Sequence, residues 1–295
     1  MIDVRHISKS FGKQQVINDI SLGINQGEIF GLLGPNASGK TTLIRLLCGL
    51  IDKDAGEVFI NKKSIREAKK EFGYVAQHFG QYEELTVLEN ISFYAKLYGV
   101  NDRQIYLDLL KRYDLEKFLD RKAGALSGGY QRRLALTCAL VHDPLVLFLD
   151  EPTAGIDPVT RKTMWDDLYQ LSAQGKTLLV TTHYMEEAQR CHRLAFITSG
   201  SVTTQGTPES VLDALGDARV YTTPMRYDPK IHELLYKQEG VILVNQFGSE
   251  LRIIAKPSLE KVYIQNLISA QCGFECQLVF TKANLEDVFI AINRL

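Results

Sequence analysis

The segment GPNASGKT, residues 34–41, restricts the fold of this 295-residue chain more than any other feature. It follows the apolar run EIFGLL and precedes LIRLLCGL, whose apolar spacing is typical of a helix. The pattern G-x-x-x-x-G-K-T between a strand and a helix is that of a phosphate-binding loop. Its small residues let backbone N–H groups surround phosphates at a helix N-terminus. The segment therefore predicts an α/β nucleotide-binding domain.

The loop predicts specific contacts with a bound triphosphate. We expect the Lys40 ammonium to reach the β- and γ-phosphates and the Thr41 hydroxyl to coordinate Mg²⁺. A Gly-rich turn with a surface lysine is the structural alternative, and the flanking strand and helix argue against it. The sequence thus predicts binding of ATP or GTP, with further phosphate contacts from Gly34, Pro35, Asn36, Ala37, Ser38, Gly39 and Thr42.

A second motif, LVLFLDEP over residues 145–152, reads as a buried strand that ends in two acids. Burying Asp150 and Glu151 without compensation would be very costly, so a metal or a polar pocket has to receive them. We expect Asp150 to bind Mg²⁺, directly or through water. Glu151 is placed to polarise an attacking water molecule.

The third motif is LSGGYQ, residues 126–131, in front of the apolar helix RRLALTCAL. Alone it is a flexible turn whose amides and Ser127 hydroxyl could bind an anion. Together with the other two motifs it strongly resembles the signature of ABC-type ATPases, over about residues 1–210. The resemblance implies a P-loop α/β fold with a RecA-like core, an antiparallel β subdomain and a helical subdomain at about 85–142. It also implies nucleotide contacts from Ser127, Gly128, Gly129 and Gln131.

The resemblance implies roles for four more residues. Phe11 matches the aromatic residue that stacks on adenine, and Gln77 matches the glutamine that senses Mg²⁺ and contacts the coupling groove. Asp157 matches the aspartate loop at the dimer interface, and His183 matches the switch histidine near the γ-phosphate. Each would otherwise be an ordinary core or loop residue, but six motifs in order favour function. We therefore expect catalysis by Glu151, His183, Lys40 and Gln77, and Mg²⁺ binding by Thr41, Gln77 and Asp150.

Two residues depart from the family pattern. Ala37 lies where a glycine is common, and its side chain disfavours positive φ, so we expect a slightly altered loop. Tyr130 lies where glutamine or methionine is frequent. Neither change removes a phosphate or Mg²⁺ ligand. Because Glu151 and His183 are both present, we expect hydrolysis of ATP rather than a role in binding alone.

The family geometry implies that two chains share each nucleotide. The signature of one subunit closes over the phosphate loop of the other, so Lys40 and Ser127 of one chain do not hold the same ATP. A head-to-tail homodimer, or a pair of ATPase subunits, would sandwich two ATP molecules. Closure of this dimer would drive a partner protein, and hydrolysis of ATP would release the dimer.

Composition and hydropathy limit the choice of partner. Lys and Arg number 34 against 35 Asp and Glu, so no basic field predicts nucleic acid as a partner. We see no signal peptide and no run near the ~20 apolar residues that a membrane-spanning helix needs. Five scattered cysteines argue against a disulfide framework. Together with these features, the resemblance to ABC-type ATPases implies a peripheral protein at the cytoplasmic face of the inner membrane, working with a permease on a separate polypeptide.

The composition changes near residues 205–216, which predicts an ATPase domain over 1–213 and an accessory domain over 214–295. The accessory segment reads βαββαβ, the order of a ferredoxin-like α+β unit. The tail TKANLEDVFIAINRL, with TTHYMEEA, resembles the exporter branch related to daunorubicin-resistance and polysaccharide or lipid export ATPases. These features favour the ATPase of an exporter.

Two alternatives stay open. One is an importer ATPase whose C-terminal domain senses a ligand, because methionine importers carry a ferredoxin-like domain of similar size. The other is a non-transport ABC ATPase that acts on DNA or the ribosome. About 50 residues separate Gln77 from Ser127, which leaves no room for the long coiled coil of chromosome-structure relatives. The single cassette and the missing zinc modules also argue against this class.

Overall fold

The computed structural model describes residues 1–292 and divides into two units, Met1–Gln205 and Gly206–Leu295. The last three residues of the tail TKANLEDVFIAINRL lie outside the described residues. The division falls at the end of the strand Ser201–Gly206, a little before the predicted boundary between 213 and 214.

The first unit contains two sheets. One is antiparallel and has the order β2-β1-β4-β5, formed by β1 (Ile2–Phe11), β2 (Gln14–Ile24), β4 (Ala55–Ile60) and β5 (Lys63–Ser64). The other has the order β10-β9-β3-β8-β7-β6 and is parallel from β9 to β6. Its strands are β3 (Ile29–Leu33), β6 (Phe72–Val75), β7 (Val146–Asp150), β8 (Thr177–Thr182), β9 (Arg193–Thr198) and β10 (Ser201–Gly206).

The central strands β3, β7 and β8 are buried on both faces. Because side chains alternate along a strand, Leu147 and Leu178 pack into one core while Phe148 and Leu179 pack into the other. This explains the continuous apolar runs in the sequence, and it places the carboxyl ends of the three strands at one edge of the sheet.

Six helices complete the first unit as described: α1 (Lys40–Leu47), α2 (Val87–Tyr98), α3 (Arg103–Arg112), α4 (Gly128–Leu140), α5 (Pro158–Ala173) and α6 (Met185–Ala188). Helix α2 begins with a capping box, in which the Thr86 hydroxyl accepts from the Glu89 N–H and the Glu89 carboxylate accepts from the Thr86 N–H. Helices α2, α3 and α4 bury Ile91, Leu110 and Leu134 in one cluster. They form the helical part of the unit.

The second unit is built on an antiparallel sheet with the order β12-β13-β11-β14. This is the strand order of a split βαβ unit. Helices α8 and α9 pack on one face of the sheet through Ile231 and Ile264, and α10 packs on the other through Ile290. Its elements are α7 (Pro208–Leu212), β11 (Arg219–Pro224), α8 (Pro229–Tyr236), β12 (Val241–Phe247), β13 (Glu250–Ala255), α9 (Lys261–Cys272), β14 (Val279–Thr281) and α10 (Leu285–Ile292).

The length and hydropathy of a helix decide whether it can cross a membrane. Within residues 1–292, none of the helices combines the length and the apolar character needed to cross a bilayer.

A buried ion pair fastens α10 to the sheet of the second unit. Arg252 of β13 donates from Nε and Nη2 to the two carboxylate oxygens of Asp287, at 2.7 and 2.6 Å. The same guanidinium donates to the Lys282 carbonyl at 2.7 Å. Because Asp287 is buried and the Arg252 side chain is only 12% exposed, each charge depends on the other to offset its desolvation.

We predict that Asp287→Asn lowers the free energy of unfolding of the second unit by about 3 kcal/mol, because it leaves a buried guanidinium without its counter-charge. Urea unfolding, followed by hydrogen exchange in β13 and α10, measures the change. The control is Glu286→Gln, one residue earlier on the same helix, which should change stability by no more than about 0.5 kcal/mol. Equal stability of the two variants would contradict the structural role of the pair.

Candidate functional site

The phosphate loop connects β3 to α1 at the carboxyl edge of the sheet. Gly39 has φ of +107°, and a Cβ there would lie 2.8 Å from Ile17 Cδ1, so glycine is required for both conformation and space. Ala37 has φ of +63°. The loop therefore does take a left-handed conformation at Ala37, at a cost of about 1 kcal/mol relative to glycine.

The side chain of Lys40 is folded over its own loop. Its ammonium donates to the Gly34 carbonyl at 2.8 Å and to the Pro35 carbonyl at 3.0 Å, and the residue is only 5% exposed. Burial lowers the pKa of Lys40, while the nearby charges of Glu151 and Asp150 act in the opposite direction. Two of its three N–H groups are used by the loop, and the third can meet an anion.

Strand β7 delivers Asp150 to the same edge, fully buried. Its Oδ1 accepts from the Thr41 hydroxyl at 3.2 Å and from the Thr181 hydroxyl at 2.7 Å, while Oδ2 has no partner among the described residues. Burial raises the pKa of Asp150, although the two hydroxyl hydrogen bonds oppose the change. An unpartnered carboxylate oxygen beside a hydroxyl fits Mg²⁺, which prefers such oxygen ligands.

Glu151 brings two other predicted residues together. Its Oε2 accepts from the Gln77 amide at 3.2 Å and lies 3.3 Å from His183 Nδ1. The backbone is left-handed here, with φ of +48°, and the Glu151 N–H donates to the Thr181 hydroxyl at 2.9 Å. A strained residue held by its neighbours is common at functional sites. This carboxylate is positioned to orient a water molecule or accept its proton.

Lys40, Gln77 and Glu151 line one cavity of about 400 Å³, here called the phosphate-loop cavity, whereas Asp150 and His183 lie outside its lining. Phe11 is not among its lining residues. Its side chain is 51% exposed, with the Lys9 ammonium 5.5 Å from the ring centre, and its strand partner Gln14 lines the cavity instead. The lining is Gln14, Val16, Asn36, Ala37, Ser38, Gly39, Lys40, Thr41, Thr42, Gln77 and Glu151.

A second cavity of about 270 Å³, here called the signature cavity, joins the LSGGYQ turn to the loop before α5. Ser127 is the N-cap residue of α4, and its hydroxyl makes no capping bond to the helix. Asp157 caps α5, and hydrogen bonds from the Thr160 hydroxyl, the Thr160 N–H and the Val159 N–H lower its pKa. The lining is Ser127, Gly128, Gly129, Tyr130, Arg133, Gly155, Ile156, Asp157 and Thr160. Among the described residues, none lines both cavities.

The two remaining signature side chains contact the helical part of the unit. Gln131 donates to the Ala123 carbonyl at 3.3 Å. The Tyr130 hydroxyl donates to Asp114 at 3.2 Å, and its ring meets that of Phe118 edge-on, with 4.6 Å between centres. The unusual tyrosine is therefore held by its own polar and aromatic contacts.

Sequence reasoning missed three residues that support the site. The Thr181 hydroxyl contacts both Asp150 and Glu151. Arg132 of α4 donates to the Ala76 carbonyl, next to Gln77, at 3.1 Å, and burial lowers its pKa. The carboxylate of Glu187 accepts two threonine hydroxyl bonds. Thr181 could have been found as the strand residue two positions before His183, whereas the others carry no local signal.

Comparisons with known proteins identify what this chain is similar to. A protein-family model described as ABC transporter matches residues 17–154. A relative from Burkholderia pseudomallei (strain 1710b), named Nod factor export ATP-binding protein I, is 42% identical over 299 residues, which covers 99% of this chain and 96% of the relative. The Escherichia coli (strain K12) protein named probable multidrug ABC transporter ATP-binding protein YbhF is 35% identical over 218 residues, 72% of this chain and 38% of that protein.

Solved structures are similar in fold. One is the dimeric structure of a post-hydrolysis state of an ATP-binding cassette bound to ADP and Pi. It is 27% identical, has a TM-score of 0.64, and the match covers 70% of this chain and 98% of that one. This similarity confirms the predicted fold class for the ATPase domain.

The burial of Asp150 predicts a pH dependence of stability. Because its pKa in the folded protein is raised above the ordinary value of 3.8, the folded state loses stability as the pH rises past that value. Asp150→Asn should therefore raise the midpoint of thermal unfolding at pH 7, without nucleotide or Mg²⁺, and the gain should shrink as the pH falls towards 4.

Asp157→Asn is the matched control, and it has the opposite sign. Hydrogen bonds lower the pKa of Asp157, so its carboxylate contributes stability above the ordinary pKa and loses it in acid. This variant should be less stable than the parent chain at pH 7 and should approach it in acid. Thermal unfolding from pH 3 to pH 8 tests both, and a destabilised Asp150→Asn at pH 7 would contradict the predicted cost of burial.

Proposed function

This chain belongs to the ABC transporter family, and we propose that it is the ATP-hydrolysing subunit of an exporter whose permease is a separate polypeptide. The family match and the relatives named for Nod factor export and for multidrug transport support this function. The predicted importer, with a ligand-sensing C-terminal domain, remains the alternative, since the fold of the second unit suits both. The names of the relatives favour export.

The separation of the two cavities is the observation that carries the proposal. The phosphate-loop cavity holds Lys40 and Glu151, and the signature cavity holds Ser127 and Asp157. Each cavity supplies half of what a bound triphosphate needs, and no described residue belongs to both. Two copies placed head to tail would complete two sites, with a phosphate loop from one copy facing a signature turn from the other.

Within such a site, Glu151 accepts a proton from the attacking water molecule while the oxygen of that water bonds to the γ-phosphorus. The bond to the β-phosphate oxygen breaks, and ADP and phosphate leave. Lys40 stabilises the negative charge on the β- and γ-phosphates, and His183 and Gln77 hold the Glu151 carboxylate in place. Thr41, Asp150 and Gln77 would hold Mg²⁺, which neutralises phosphate charge when bound.

Coupling to the permease would use the segment after Gln77. The run from Phe79 to Leu85 carries apolar and aromatic side chains among acids, and the Tyr82 side chain is exposed. We assign this segment to permease docking. The chain would then lie peripherally at the cytoplasmic face of the membrane, where ATP is supplied. The second unit would act in dimerisation or regulation.

We expect Glu151→Gln to abolish steady-state release of phosphate while retaining ATP, because the amide cannot accept the proton of the attacking water. The variant should accumulate as an ATP-bound dimer, measured by light scattering with saturating ATP and Mg²⁺. Glu209→Gln, an exposed acid on α7, should behave like the parent chain. Unchanged turnover of Glu151→Gln, or a strictly monomeric chain, would contradict the proposed function.

A subunit-mixing experiment tests whether the site is shared. Ser127→Arg should block every signature cavity, and Lys40→Ala should disable every phosphate loop, so each variant alone should be inactive. When the two are mixed, half of the randomly paired dimers contain one intact site, and up to about a quarter of parental activity should return. No recovery, with pairing verified by crosslinking, would contradict the shared site.

A further inference from the structure

Glu187, on α6, is buried, with only 1% of the residue exposed. It lines neither cavity. Its Oε1 accepts from the Thr153 hydroxyl at 2.5 Å, and its Oε2 accepts from the Thr182 hydroxyl at 2.6 Å. Arg161 Nε lies 3.7 Å from Oε1 and has no hydrogen-bond partner among the described residues. A buried carboxylate is retained only where such partners offset its desolvation.

Each partner belongs to a segment that carries one of the proposed site residues. Thr153 follows Glu151 by two positions, and Thr182 directly precedes His183. Arg161 lies in the first turn of α5, the helix that Asp157 caps. The Glu187 carboxylate therefore connects three chain segments, which carry Glu151, His183 and Asp157.

The segment around His183 has further contacts with the same group. The Tyr184 N–H donates to the Thr182 hydroxyl at 3.0 Å, so this hydroxyl accepts one bond while it donates to Glu187. The Arg161 guanidinium lies 4.5 Å from the centre of the Tyr184 ring. Both residues that flank His183 are thus held directly or indirectly by Glu187.

We propose that Glu187 is a positioning residue for ATP hydrolysis, which holds Glu151, His183 and Asp157 in a fixed mutual geometry. It acts through Thr153, Thr182 and Arg161 and does not contact the nucleotide. The 3.3 Å approach of His183 to Glu151 requires both loops to be fixed, and the left-handed backbone of Glu151 needs support from its surroundings. The inference rests on the proposed function only in experiments that measure ATP hydrolysis.

The kinetic test uses Glu187→Gln in the full chain. The amide keeps the shape of the side chain but removes its charge and turns an N–H₂ group towards hydroxyls or Arg161. We expect kcat for ATP hydrolysis to fall at least about 10-fold, because small displacements of reacting groups cost large factors in rate. The KM for ATP should change by less than about two-fold, since the phosphate loop is not attached to Glu187.

Matched variants separate positioning from general damage. Glu186→Gln makes the same chemical change one residue earlier, on an exposed side chain of α6, and should leave kcat and KM unchanged. Thr182→Val should lower kcat because it removes one hydrogen bond to Glu187, whereas Thr182→Ser keeps the hydroxyl and should restore activity. A wild-type kcat in Glu187→Gln would overturn the proposal.

Hydrogen exchange tests the same inference without hydrolysis. In Glu187→Gln, the peptides that cover 152–158 and 182–186 should exchange faster than in the parent chain, while exchange in α1 stays unchanged. Faster exchange throughout the first unit would indicate general destabilisation and would overturn the proposal, as would unchanged exchange in both peptides. If the parent chain released no phosphate, the proposed function would fail, while this exchange result would still decide the role of Glu187.

Discussion

The structure depends on placing two acids, Asp150 and Glu151, at the end of a strand that is buried on both faces. Carboxylates in such a position are costly unless polar groups receive them. The surrounding elements supply those groups: a hydroxyl at the start of α1, an amide after β6, and an imidazole after β8. The sheet order makes this convergence unavoidable, because β7 lies between β6 and β8 and the parallel strands end at the same edge. The position of the site thus follows from the order of the strands and from the edge at which they end.

The parts of this arrangement that could be read from the sequence are local. The phosphate loop and LVLFLDEP each join a strand to a functional segment within a few residues, so their placement followed from pattern alone. Strand β1 has no regular apolar alternation, and its pairing with β2 shifts register between Val4 and Ile7, between Ile7 and Lys9 and between Lys9 and Ser10. Arg132 escaped prediction because its partner Ala76 lies far away in the chain, and Glu187 escaped because two of its three partners, Thr153 and Arg161, are also distant; no periodicity marks contacts of that kind. The loop at Ala37 was expected to be altered, but alanine takes the left-handed conformation there.

The two cavities explain why this chain, although it carries every motif of the site, would pair with a second copy. Lys40 and Glu151 lie in one cavity, and Ser127 and Asp157 lie in the other. Similarity to a cassette solved as a dimer bound to ADP and Pi agrees with this division. The family gives the chain its fold and its reaction class, and the direction of transport is part of the proposed function. The second unit has a core of its own, and its last described helix is joined to the sheet by a buried ion pair.

Thr181 has a consequence for how the two acids behave. Its hydroxyl hydrogen points to Asp150, so the lone pairs of the same oxygen are what receive the Glu151 N–H. The Asp150 carboxylate and the Glu151 peptide, whose φ is +48°, are therefore held by the same hydroxyl group. Only serine could replace this threonine without uncoupling the pair. A single oxygen atom thus joins the side chain of the first acid to the backbone of the second.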